Sequence, residues 1–159
     1  MAVVLHIAGP TTLQVDVGDG YVTLGWSDND NLPSVQFTDH FHEVKTVASG
    51  MMPEEVVVLG TTATISVALV KWDKEVLTDL LTTVRGVASY GDVGSKMIAG
   101  GMTIGVKLLT ASQTYTFPVC YLQSNSVGDS QWGNRERVLT LGFNATRVSG
   151  GVLYTQTDV

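Results

Sequence analysis

The feature that most constrains this chain is a strict two-residue alternation of side chains in residues 62–69. One phase is apolar and consists of Ala63, Ile65, Val67 and Leu69. The other phase consists of Thr62, Thr64, Ser66 and Ala68. Successive side chains of a β-strand point to opposite faces, so the pattern predicts a strand with one buried face. The small residues of the second face favour close packing against another layer or another subunit.

Shorter patterns of the same kind predict about eight strands in a single domain, residues 1–159. One helix is predicted at residues 73–85, where Asp73 is the candidate N-cap and apolar residues recur at helical spacing. Pro118 falls inside a predicted strand, residues 113–122, which it restricts to an edge or bulged position. Residues 123–134 are polar and are predicted to form a loop. The predicted fold is mainly β, a sandwich or barrel with one flanking α-helix and extended hairpins or arms.

Residues 35–47 predict an unusually long strand or extended arm that its own domain buries only in part. Its apolar phase turns charged after Phe41. A partly buried arm favours contacts with other copies of the chain. The residues predicted to make such contacts are Val35, Phe37, Phe41, Glu43, Lys45, Arg135 and Arg137.

Composition restricts the function classes. Charged residues make up 15% of the chain, against about 25% in a typical soluble domain, which indicates that partners cover part of the surface. The net charge of −6 argues against a nucleic-acid-binding surface that neutralises phosphates with lysine and arginine. The single cysteine, Cys120, excludes an internal disulfide. Neither a secretory signal nor an apolar run long enough for a membrane span is evident, so we expect synthesis in a cytoplasm and no membrane partner.

One ionisable cluster has the spacing of a metal site. His40 and His42 lie on the same side of the predicted strand and could chelate a divalent ion, with His6 as the one other histidine. An exposed polar strand face, or contact with a neighbouring subunit, explains the same pattern. Residues 28–31 begin like a calcium loop but fail at Leu32 and Pro33, which indicates a turn. We expect no metal, no cofactor and no enzymatic activity.

Residues 54–84 resemble the tail tube proteins of long-tailed bacteriophages. The similarity lies in a strand that begins after a long loop, at residues 54–60, continues through residues 63–73 and leads into the helix. The early hairpin and the long arm also fit. The resemblance implies a virion protein that forms six-membered rings, stacked into a tube through which DNA leaves. It further implies contacts with other tail proteins, DNA passage without sequence-specific binding, assembly in the host cytoplasm and an acidic lumen that repels phosphate.

Two other functions stay open at the level of sequence. A capsid decoration protein or a head-to-tail connector would share the β fold and the virion setting. A small metal-binding β-sandwich would use His40 and His42.

Overall fold

The structure, a computed structural model, describes residues 2–6, 10–85, 101–129, 137–147 and 150–158. These residues form one helix, α1 (Lys74–Arg85), and ten strands. The strands are β1 (Ala2–His6), β2 (Thr12–Asp16), β3 (Tyr21–Trp26), β4 (Ser34–Val44), β5 (Glu55–Leu69), β6 (Lys71–Trp72), β7 (Ile104–Leu109), β8 (Gln113–Asp129), β9 (Arg137–Ala145) and β10 (Thr155–Asp158). The prediction of a mainly β fold with one helix is confirmed.

All described strands belong to one antiparallel sheet with the order β1-β4-β5-β9-β8-β7-β2-β3-β6, and β10 pairs with β8 outside this path. The sheet curls strongly, because β6 continues β5 after the single residue Val70 and yet pairs with β3. The Val70 amide donates to the Trp26 carbonyl at 3.0 Å, and the Asp73 amide donates to the Leu24 carbonyl at 2.7 Å. The β3 end of the sheet therefore lies next to the end of β5, and no strand pairing among the described residues closes the sheet into a barrel.

The concave face of the curled sheet holds the core. Its largest fully buried side chains include Phe117, Phe143, Ile65, Leu13 and Leu108. The helix covers one opening of this core, where Leu80 and Val84 are buried and α1 packs beside β3 and β7. The predicted N-cap is confirmed, because the Asp73 carboxylate accepts hydrogen bonds from the amides of Glu75 (2.8 Å) and Val76 (3.2 Å).

Strand β8 is longer than the sequence predicts. It continues to Asp129, so that much of the predicted loop at 123–134 is strand, because pairing with β9 outweighs the polar composition. The predicted bulged position of Pro118 is confirmed, because the ladder with β7 is irregular at this point, with Ile104 opposite Cys120 and Val106 opposite Phe117. The final strand is Thr155–Asp158.

Candidate functional site

A β-bulge divides the long β4–β5 hairpin into two parts. His40 pairs with Gly60 and Phe41 pairs with Val58, so Leu59 has no opposite residue on β4. Gly60 has φ +147°, a conformation that side-chain-bearing residues rarely adopt. Residues 34–38 and 61–69, on one side of the bulge, pack on the core. Residues 41–59, on the other side, extend past the core. We call these residues the arm; they overlap the predicted arm at 35–47 only in part.

The arm concentrates the exposed apolar surface of the described residues. Of the fourteen large apolar side chains that are exposed there, nine belong to the arm, which excludes a random scatter. These are Phe41, Val44, Val47, Met51, Met52, Val56, Val57, Val58 and Leu59. Val47 and Met51 are 104% and 92% exposed, and so make almost no contact with their own chain.

Both faces of the arm are apolar. Residues opposite each other in an antiparallel ladder share a face, so Phe41 and Val58 lie on one face and Val57 lies on the other beside His42. Phe41, Val57 and Val58 are 48%, 44% and 64% exposed. An isolated two-stranded hairpin is only marginally stable in water. The arm therefore has the composition of a segment that is completed by a partner.

The end of the arm, residues 45–54, is an ordered loop that we call the tip. The Thr46 amide donates to the Ser49 hydroxyl at 2.9 Å, and the Ser49 hydroxyl donates to the Thr46 carbonyl at 3.0 Å. The Glu54 amide donates to the Val44 carbonyl at 2.9 Å, and the Thr46 hydroxyl donates to the Glu54 carboxylate. These bonds hold the exposed Met51 and Met52 side chains on a defined turn.

A groove of about 900 Å³ lies at the base of the arm. Strands β4 and β5 form one wall around the bulge, and the segment at 151–154 forms another. Its lining is largely apolar or hydroxylated: Phe37, Val58, Leu59, Gly60, Thr61, Thr62, Thr146, Gly151, Val152, Leu153 and Tyr154, with His40 and Arg147 as basic groups. The Tyr154 ring fixes the wall, since it packs against Phe37 and Phe117 at centroid distances of 5.1 and 5.8 Å.

The predicted contact residues fall into different environments. Val35 is fully buried, so the structure corrects its assignment and places it in the core. Phe37 is half-buried in the groove and Phe41 is exposed on the arm. Glu43 and Lys45 are exposed and form an ion pair at 2.9 Å.

The last two predicted contact residues are arginines. Arg137 opens β9, paired in the backbone with Asp129, and Arg135 lies outside the described residues. Residues 86–100 also lie outside them.

Sequence reasoning missed the β5 half of the arm and the groove. The signal for the first was present, because residues 56–59 are apolar in both alternation phases. A strand that is apolar on both sides is usually buried in its own domain, so this pattern by itself does not indicate an exposed arm. The groove could not be found in this way, since its walls come from β4, β5 and the segment at 146–154.

In the part of the chain that the structure describes, no third ligand lies near the histidine cluster. The His40 Nε2 atom lies 3.1 Å from the Thr62 hydroxyl, and both His40 and His42 are exposed. His6 pairs with Ser34 in the backbone, six residues from His40 along β4 and therefore about 20 Å away. Within the described residues, no group of three or more metal-binding side chains comes together. Nor does that part of the chain contain a helix with the length and apolar character of a membrane span.

The convex face of the sheet carries small uncharged polar side chains, and we call it the hydroxyl face. Its members on β4, β5 and β9 include Gln36, Thr38, Thr62, Thr64, Ser66 and Asn144. The Thr64 hydroxyl donates to the Asn144 amide oxygen at 2.9 Å, and the Asn144 amide donates to the Tyr121 hydroxyl at 3.2 Å. A surface of this kind offers hydrogen bonds without fixed charge.

The buried titratable groups are suited to structure. Burial raises the pKa of the Cys120 thiol to about 12, so this thiol is protonated at neutral pH. Burial, followed by the nearby Asp16 carboxylate, raises the pKa of Tyr21. The Lys107 Nζ atom lies 4.1 Å from the centroid of the Tyr21 ring. This cation–π contact joins β7 to β3 across β2.

Comparison with known proteins gave matches among solved structures. A chain from the virion of a native gene transfer agent (GTA) particle is 14% identical, with 92% of this chain and 95% of that chain covered and a TM-score of 0.49. A chain from the tail of an empty GTA particle, refined with C6 symmetry, is 15% identical, with 92% and 94% covered and a TM-score of 0.49. An Hcp protein is 11% identical, with 96% and 100% covered and a TM-score of 0.41. No protein-family model and no curated protein matches the chain.

Proposed function

We propose that this chain is the structural subunit of a phage-type tail tube, which self-assembles into stacked rings. The observation that carries the proposal is the arm, whose apolar side chains are exposed on both faces. Clusters of exposed apolar side chains mark protein–protein contacts in soluble proteins. An assembled state that covers both faces would remove this surface from water.

The edges of the sheet support the same proposal. β1 pairs only with β4 among the described strands, which leaves the backbone groups along its other side without a strand partner. At the other end of the order, the two-residue β6 covers only Gly25 and Trp26 of β3. Open edges of this kind are templates for pairing with another chain, and a ring of subunits can satisfy them. Six subunits per ring is the number that the sequence resemblance implies.

The hydroxyl face is the surface that suits the wall of a channel. The sequence resemblance implied an acidic lumen, whereas the wall proposed here carries hydroxyl and amide groups. DNA in contact with such a wall would meet neither cations that grip phosphate nor a strong repulsion. We therefore include passage of DNA without sequence-specific binding, together with contacts to other tail proteins in a virion assembled in the host cytoplasm.

The proposal assigns the chain no catalytic role. Two observations support this assignment. The Cys120 thiol is buried and protonated, and His40 and His42 are exposed on an open strand face. These side chains are better explained as a core residue and as surface residues of the hairpin.

Sedimentation velocity and negative-stain imaging of the purified full chain, over a range of concentrations, test the proposal. We expect rings or tubes at high concentration. Val57→Asp is expected to abolish them, because it places a charge in the apolar arm. Leu32→Asp is the matched control, since Leu32 and Val57 are both exposed apolar residues, at 47% and 44% exposure, and Leu32 lies outside the arm and outside the open sheet edges. A chain that remains monomeric at all concentrations would contradict the proposal.

A further inference from the structure

We infer that the tip of one copy docks into the groove of a second copy, so that a single head-to-tail contact propagates the assembly. The inference rests on the proposed function and names the two surfaces that meet. The tip presents Val47, Met51 and Met52, which are among the most exposed apolar side chains of the described residues. The groove presents Val152, Leu153 and Tyr154 beside the base of the arm.

The two surfaces match in shape and in flexibility. The groove is an open trough of about 900 Å³, large enough for several side chains of a loop. One wall is stiffened by Tyr154, which is held between Phe37 and Phe117. Methionine side chains are unbranched and adapt to irregular apolar surfaces. An ordered tip with two adjacent methionines is therefore a suitable occupant.

The two surfaces are also complementary in charge. The arm carries Glu43, Glu54 and Glu55 against Lys45, which gives three negative charges and one positive charge, a net of −2. The groove is lined by Arg147 and His40 and contains no aspartate or glutamate among its lining residues. The nearby Asp39 carboxylate accepts a hydrogen bond from Thr61 at 2.6 Å. The tip itself contains Glu54 and Lys45, and Glu43 and Glu55 flank it. Docking would therefore bring the negatively charged end of the arm towards a basic trough.

A tip cannot fill the groove of its own chain. The groove lies at the level of His40 and Gly60, whereas the tip begins beyond Val44, four residues or about 13 Å farther along the strand. Docking therefore joins two copies through different surfaces. Such heterologous contacts form a closed ring when the rotation between copies is a simple fraction of a turn, and a helical filament otherwise. Both outcomes are consistent with a tube.

Two variants that each damage one surface test the inference. Met51→Asp combined with Met52→Asp removes the tip contact, and Val152→Asp combined with Arg147→Glu removes the groove contact. All four residues are exposed, so the fold is expected to persist, which circular dichroism and urea unfolding would verify. Each variant alone is expected to weaken self-association by on the order of 100-fold or more, since these residues form the centre of the contact. Leu32→Asp, at 47% exposure and outside both surfaces, is the control that should assemble like the parent chain.

Mixing the two damaged variants gives the decisive result. The groove variant keeps an intact tip and the tip variant keeps an intact groove, so an equimolar mixture is expected to form a 1:1 dimer and nothing larger. A mixture that stays monomeric, or damaged variants that each assemble normally while the parent chain forms rings, would overturn the inference and leave the proposed function standing. A parent chain that never assembles would contradict both.

Discussion

The two halves of the β4–β5 hairpin belong to one ladder of paired strands but differ in the burial of their apolar side chains. In residues 61–69 the apolar phase of β5 is fully buried and the polar phase is exposed. In residues 55–59 every side chain is exposed, although four of the five are apolar. The difference follows from what lies beside each half, since β9 pairs with Ala63–Leu69 and ends at Ala145. The same strand chemistry thus stabilises the fold in one half and is available for assembly in the other.

The largest contrast between the exposed arm and the core against which the other half packs is expected in thiol reactivity. Cys120 is the single cysteine of the chain and lies in the core with a pKa of about 12. At pH 8 its thiolate fraction is about 10⁻⁴, against roughly a quarter for an ordinary thiol with a pKa near 8.5. A cysteine introduced by Val57→Cys should therefore react with iodoacetamide at least about 10³-fold faster than Cys120 in dilute, unassembled protein. Similar rates at the two positions would contradict the separation of core and arm.

The raised pKa of Cys120 also predicts a dependence of stability on pH. The folded state holds the thiol proton more tightly than the unfolded state does, so this contribution is complete below the ordinary thiol pKa. It is lost as the pH rises towards 12. The raised pKa of Tyr21 acts in the same direction. Urea midpoints measured from pH 7 to pH 11 should fall with pH, and Cys120→Ser should fall less steeply.

Truncation of apolar side chains is expected to separate the halves by several kcal/mol. Ile65 is fully buried and pairs with Val35 and Phe143, so Ile65→Ala should lower the free energy of unfolding by about 2–5 kcal/mol. Val57→Ala on the arm should change it by less than about 0.5 kcal/mol. Urea unfolding of both variants below the assembly concentration provides the measurement. Equal losses would mean that the arm contributes to the core.

The bulge between the halves is expected to have an intermediate effect. Gly60 has φ +147°, and Gly60→Ala forces a side chain into that conformation at a cost of about 1–2 kcal/mol. The variant should also assemble poorly, because the arm leaves the core at this point. Leu59→Ala at the neighbouring position is the control for stability, since Leu59 is 66% exposed. A fully stable Gly60→Ala protein would show that the backbone relaxes to another register.

The smallest effect is expected at the tip. Ser49→Ala removes the hydroxyl that accepts from the Thr46 amide, so hydrogen exchange at that amide should accelerate. The free energy of unfolding should change by less than about 0.5 kcal/mol. Ser66→Ala on the hydroxyl face is the control, with no change expected at Thr46. Unchanged exchange at Thr46 after Ser49→Ala would mean that other contacts order the tip.

Elements with a local physical cause were predictable from the sequence. The helix has an N-cap in Asp73 and an apolar stripe ending in Leu80 and Val84, and both features depend on residues close in the chain. The alternation around Ile65 likewise indicates which face is buried. The extent of β8 was not predictable, because its polar end becomes strand only through pairing with β9. The exposure of the predicted contact residues was predictable only in part, since Phe41 is exposed on the arm whereas Val35 is buried in the core.

The sequence by itself determined that this chain is rich in strands, poor in charge and contains one amphipathic helix. Those properties follow from periodicity and composition, which act over a few residues. Tertiary structure alone decided where the core ends along the β4–β5 hairpin and which segments form the groove. Both depend on contacts between residues far apart in the chain, such as Phe37 with Tyr154. The sequence shows that an apolar residue in a strand favours burial. Only the fold decides whether its own domain or another copy of the chain buries it.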